Sequence, residues 1–112
     1  METNEVEKGK AFILVEILEY IHNSVVIKTI IKKTTGNVCA VSFDSGEALT
    51  EKTSAFDTFI QIIEGTAEVV IDGISNELAT GQSIIVPAHA PNIIKANERF
   101  KMISTIIKSG YE

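Results

Sequence analysis

Short runs of β-branched and aliphatic residues, each closed within a few positions by a glycine, asparagine or proline, govern what this 112-residue chain can become. The runs cover residues 25–31, 38–43, 59–63, 67–71, 83–86, 92–96 and 102–107. Val, Ile and Thr are stiff about χ1 and pack well on a pleated surface, and none of the runs reaches the roughly 11 residues of an average helix. Turns are marked by Thr35-Gly36-Asn37, Asp44-Ser45-Gly46, Glu64-Gly65, Asp72-Gly73 and Thr80-Gly81. Asp72-Gly73 is the sharpest signal, because both central positions of a type I′ hairpin turn require φ > 0. Glu64-Gly65 predicts a second tight reversal, between 59–63 and 67–71. Strand and turn recurring at this interval predict a sandwich or barrel rather than alternating strands and helices.

Residues 11–21 (AFILVEILEYI) fit two patterns. Leu14, Ile17, Leu18 and Ile21 would share one helical face, whereas 12–15 would also serve as an edge strand. The expectation is a short strand followed by a turn, with one short helical turn as the alternative. Residues 1–10 are polar and acidic and are expected to form a flexible leading segment before a single domain over 11–112.

Composition removes several classes of function. A net charge of −5 with a pI near 5.0 argues against a nucleic-acid partner, since holding phosphates takes clustered Lys and Arg. The tightest basic group, Lys28, Lys32 and Lys33, is what a solvated face looks like. Cys39 is the one cysteine, which excludes an internal disulfide and a four-thiolate zinc site, and its apolar surroundings in sequence predict a small buried hydrophobe. No apolar run approaches the roughly 20 residues that span a bilayer, and the first residues do not resemble a secretory signal. A cytoplasmic protein with no membrane partner is the expectation.

Gly46, Gly65, Gly81 and Pro87 stand at spacings that resemble the two sequence motifs of the cupin superfamily, and the surrounding text (VSFDSGEALTEK, FIQIIEGTAEVVIDG, GQSIIVPAHAPN) is similar too. The resemblance rests on residues 46–96 and extends loosely over most of the chain. It implies an all-β fold, the double-stranded β-helix or jelly-roll barrel. Members of that family typically hold iron, manganese, zinc, nickel or copper with three imidazoles and one carboxylate. Here those four positions read Lys52, Ser54, Thr58 and Asn92, while His89 replaces a motif glycine and Ala96 a motif asparagine. A transition metal needs nitrogen lone pairs or anionic oxygens converging within roughly 2.0–2.3 Å. Lys52 would repel a cation and the other three offer neutral oxygens, so a metal-free barrel with no cofactor is expected. Asp57 and His89 are the neighbours that would have to rebuild an atypical site.

Three functions follow from an intact frame with altered ligand positions. The first is a binding module that holds a small metabolite among Lys52, Ser54, Thr58, Asn92, Asp57 and His89, with Ile60, Ile62 and Ile94 behind them; Lys52 would suit an anionic one. The second is an isomerase-like or lyase-like enzyme, metal-independent or with an unusual metal set. Its acid–base candidates are Lys52, Asp57 and His89, with Tyr20 and Tyr111 more remote. The third is a structural or interaction module whose barrel is closed. Fold resemblance does not choose among them.

Residues 59–63, 83–86 and 102–107 are apolar on both strand parities. A strand covered on one side alternates apolar and polar, so the second apolar face needs a cover of its own. In a chain this short another subunit is the natural cover, and a homodimer is predicted. Light scattering at micromolar concentration should give twice the 12.2 kDa chain mass; a monomer mass would contradict it.

Overall fold

Each predicted run falls on a strand in the computed structural model, which describes residues 5–51 and 53–110, with only Ala96 of the run 92–96 lying past its strand's end. The strands are β1 (Val25–Lys33), β2 (Gly36–Phe43), β3 (Ala48–Glu51), β4 (Thr58–Ile71), β5 (Ile74–Ala79), β6 (Ser83–Val86), β7 (Asn92–Lys95) and β8 (Phe100–Ile107). Every pairing is antiparallel. One sheet runs β1-β2-β8-β4-β6 and the other β5-β4-β7-β3, so the two share β4 and curl into a jelly-roll barrel. Among the described residues no helix is long and apolar enough to cross a membrane.

The Asp72-Gly73 hairpin forms as its chemistry requires, with φ of 51° and 78° and Ile71 facing Ile74 across the turn. The reversal predicted at Glu64-Gly65 does not form. Residues 58–71 are one continuous strand, and Gly65, at φ 89°, marks a bulge in it. Ile62 pairs with Met102 and Glu64 with Lys101, which leaves Ile63 without a partner in that ladder. Because side chains alternate with period two, one extra residue exchanges the faces. Ile60 and Ile62 are buried before the bulge, Ala67 and Val69 after it. The turn that precedes β6 wraps the same bend: the Gly81 N–H donates to the Ile62 carbonyl at 2.7 Å and the Gly65 N–H to Thr80 Oγ1 at 3.0 Å.

The core closes one end of the barrel. Phe43 and Phe100 are stacked with centroids 4.4 Å apart and are fully buried. Val41, Ile62, Val69 and Met102 pack into the same cluster.

Residues 11–21 form no strand. They make a single 3₁₀ turn, Leu14–Glu16, and otherwise run irregularly across the outside of the first sheet. The Ser42 hydroxyl donates to the Glu19 carbonyl at 2.8 Å, and Lys101 Nζ donates to the Val15 carbonyl at 2.6 Å. A strap held by single hydrogen bonds from side chains has no ladder to make it a strand. Its apolar anchor is Leu18, which is buried, while Phe12, Ile13 and Ile21 are exposed. Further toward the start, the Glu5 carboxylate accepts from the Lys32 N–H at 2.8 Å.

Charge fixes the end of the strap. The Tyr20 hydroxyl donates to Glu64 Oε2 at 2.6 Å, and its ring lies near Arg99 and Lys101, at 5.1 and 4.8 Å. Burial, then the bond to Glu64, pushes the phenol well above its usual range. Asp44 accepts from Arg99 Nε at 2.8 Å and from the Asn23 N–H at 2.7 Å, with His22 Nδ1 at 3.6 Å. The Arg99 bond, followed by the Asn23 N–H, holds the carboxyl at about 2.

Two predictions follow from this architecture. A Cβ on Gly65 would sit 2.6 Å from the Arg99 backbone carbonyl, whereas one on Gly73 would meet nothing within 4 Å. In urea denaturation Gly65→Ala should cost more than about 2 kcal/mol and Gly73→Ala, which suffers only the dihedral penalty, about 1–2 kcal/mol. Equal losses would mean that the bulge tolerates a side chain.

Asp44 is ionised more readily when folded than its ordinary value of 3.8 allows, so its contribution is complete above about pH 4 and disappears as pH falls toward 2. The urea midpoint should decline through that window. Asp44→Asn should be less stable at neutral pH and show a shallower acid decline; Glu68, lowered by Ser75 and then Asn97, leaves a residual slope of the same sign.

Candidate functional site

Opposite the Phe43–Phe100 stack, the two sheets part to leave a cavity of about 210 Å³. Strand register lays out its first wall in rows. Next to the stack, Val41 lies beside Met102. The following row places Cys39 beside Ser104 and Ser104 beside Ile60. The outermost row runs Asn37, Ile106, Thr58, Val86. On the opposing sheet, Leu49 and Ile94 pair deeper, and Asn92 lies one inward position toward the mouth. Ile27, beside Val41 on β1, and Ser54, Phe56, Pro87 and Ala90, from the two loops at that end, complete the lining.

Those loops are stitched together. The His89 N–H donates to the Ser54 carbonyl at 2.6 Å, and the Ala88 N–H donates to Asp57 Oδ1 at 2.8 Å. His89 takes φ 69°, a left-handed conformation that a non-glycine residue adopts at some cost.

Several polar groups in the cavity have capacity to spare. Among the described residues, neither Thr58 Oγ1 nor Ser104 Oγ makes a hydrogen bond to another side chain or to the backbone. Ser54 Oγ accepts from the Phe56 N–H at 3.1 Å, which leaves its own proton to donate. Asn92 is buried, and its Nδ2 reaches the Ala90 carbonyl only at 3.4 Å. Cys39 Sγ donates weakly to Asn37 Oδ1 at 3.7 Å.

No protein-family model and no curated protein matches the sequence. Solved structures do match. A conserved protein of unknown function from Streptococcus pyogenes superposes with a TM-score of 0.89 at 26% identity, over 96% of this chain and 95% of the other. A cupin superfamily protein from Desulfitobacterium hafniense gives 0.86 at 24% identity, over 96% and 97%. An RmlC-like cupin from Shewanella frigidimarina gives 0.75 at 19% identity, over 96% of both. This chain is a small cupin-fold protein.

Within the cupin barrel, Ser54, Thr58 and Asn92 converge on one cavity from three different segments. Ile60 and Ile94 stand behind them, while Ile62 packs in the core without lining the space. Asp57 and His89 are on the rim: both are exposed and neither lines the cavity. Lys52 and Tyr111 lie outside the described residues. Tyr20 and His22 belong to the strap on the outer surface, away from the cavity.

Sequence reasoning missed half of the polar lining. Asn37, Cys39 and Ser104 come from β2 and β8, outside the motif frame. Cys39, expected to be a buried hydrophobe, is only partly buried and faces the cavity. The signal was present: Asn37, Cys39, Val41 and Phe43 share one strand parity, as do Met102, Ser104 and Ile106. Each set ends on a core residue, which assigns the whole parity to the interior.

The donor set among the described residues does not fit a transition metal. Inside the cupin barrel the described donors are amide, hydroxyl and one thiol, and among the described residues no three His, Cys, Asp or Glu side chains gather closely enough to hold an ion. Neutral oxygens of this kind bind such ions weakly beside imidazole or carboxylate.

Proposed function

We propose that this cupin barrel binds a small metabolite in its interior and does so without a metal. The supporting observation is a cavity with apolar walls into which neutral polar groups project with hydrogen-bonding capacity unspent. Apolar walls with a few convergent polar groups are the usual make-up of a small-molecule site. Binding is favoured over catalysis because the described lining offers no carboxylate, imidazole or ammonium to act as general acid or base.

A homodimer is part of the same reading. Ile31, Val38, Thr105, Phe59 and Ile85 are successive partners across β1, β2, β8, β4 and β6, on the outward parity of the first sheet. Ile31, Phe59 and Ile85 in that row are exposed, as is Ile107 beside it. An apolar stripe this wide supports association through the outer face, which leaves the cavity mouth free.

A metabolite panel screened by thermal shift tests the binding reading. At least one compound should raise Tm in a saturable way in protein that carries no stoichiometric iron, nickel or zinc after chelator treatment. Ser104→Leu places added carbons in the empty volume, so it should fold with equal or greater stability, by up to about 2 kcal/mol, and lose the shift. Silence across the panel, or a shift that survives Ser104→Leu, would count against an interior site.

A further inference from the structure

We infer that the molecule this barrel takes is uncharged and about the size of a single substituted ring. Its body would lie on the apolar floor and one or two neutral hydrogen-bonding groups would lie among Asn37, Thr58, Asn92 and Ser104. The inference rests on the binding reading above and adds the chemical class of the ligand.

Charge is the first ground. Apart from the Cys39 thiol, no described residue of the lining is ionisable. A carboxylate or ammonium that leaves water for such a place loses its hydration and meets no counter-charge among the described lining residues, a cost of several kcal/mol. Asp44, Glu64, Arg99 and Lys101 pair with one another and with the strap on the face turned away from the cavity.

Size is the second. A cavity of about 210 Å³ exceeds the ~150 Å³ of an engineered apolar cavity that accepts benzene. One ring with a small substituent fits, and a nucleotide or a sugar phosphate does not. The third ground is the order of the rows. Val41 and Met102 lie beside the aromatic stack, whereas Asn37 and Thr58 lie at the open end. Amide and hydroxyl groups both donate and accept, which suits a ligand amide, hydroxyl or carbonyl. An occupant would therefore enter with its apolar body first.

Cys39 makes the inference testable, because it is the chain's one cysteine and it lines the cavity. Iodoacetamide alkylates it as the thiolate forms an S–C bond, iodide departs and the thiol proton passes to water. The rate is followed by mass spectrometry on native protein, in roughly 1 M salt so that a Debye length of ~3 Å screens the net charge of −5. Benzamide, benzoate and benzamidinium have nearly the same shape and carry charges of zero, minus one and plus one. Benzamide should slow the alkylation saturably at millimolar concentration, and the two ions should need at least tenfold more. Benzoate or benzamidinium protecting as well as benzamide would overturn the charge assignment and leave interior binding intact. Alkylation that none of the three slows would overturn the size assignment. If iodoacetamide labels Cys39 only after denaturation, the interior is closed and the binding reading itself fails.

Discussion

The displaced residue in β4 is the constraint on which the barrel depends. A 14-residue strand that kept one parity throughout would send its apolar side chains to a single face and could serve only one sheet. With Ile63 left out of the ladder and Gly65 at positive φ, the first half of β4 pairs with β8 and β6 and the second half with β5 and β7. Both halves still point their buried residues into the same interior. The glycine is needed for two separate reasons, its dihedral and the Arg99 carbonyl lying against it. No other residue satisfies both, so the junction of the two sheets is fixed at one place in the chain.

From that junction the barrel acquires two unlike ends. At one end Phe43 and Phe100 fill the space between the sheets, and the strap covers the outer face near them through Leu18, Tyr20 and the Asp44–Arg99 pair. At the other end the strands diverge, and two loops are joined by hydrogen bonds to backbone groups rather than by packed side chains. Apolar burial is what closes a barrel. Where it gives way to polar side chains at Asn37, Thr58 and Asn92, the interior remains open. The cavity follows from the order of residues along β2, β8 and β4.

Much of this was legible in the sequence, though unevenly. The runs and the Asp72-Gly73 turn located the strands because β-branched residues and a type I′ turn each have one common structural use. Gly65 was misread because positive φ serves a bulge as well as it serves a reversal. Parity was the better guide: Ile60 and Ile62 are even, Ala67 and Val69 odd, and a reversal need not exchange them. Strands β3 (ALTE) and β5 (ISNELA) escaped the list of runs because each lies at the edge of its sheet, where polar residues are tolerated. Residues 11–21 carry enough apolar side chains for a strand or a helix, yet only contacts distant in sequence, at Ser42, Glu64 and Lys101, decide their course. The motif frame led to Ser54, Thr58 and Asn92 but was silent about Asn37, Cys39 and Ser104, which no glycine spacing marks.

Neutral groups at Ser54, Thr58 and Asn92, three of the four positions where the motif frame would place metal ligands, change what the interior can solvate. A bound cation supplies a fixed charge around which anionic oxygens can gather, and it dominates the local electrostatics wherever it is held. An interior of amides and hydroxyls has only short-range dipoles, each able to satisfy a partner at hydrogen-bond distance and little beyond it. In such a space affinity must come mainly from apolar contact, with Met102, Val41, Ile60 and Ile94 providing area. Polar groups then act on selection. A ligand without a group to meet Thr58 or Asn92 leaves these side chains unpaired away from water, which penalises the wrong molecule more than it rewards the right one. Under the binding reading proposed above, Ser54, Thr58 and Asn92 would serve to discriminate among uncharged molecules, while the shell around them keeps its shape for reasons that lie in β4.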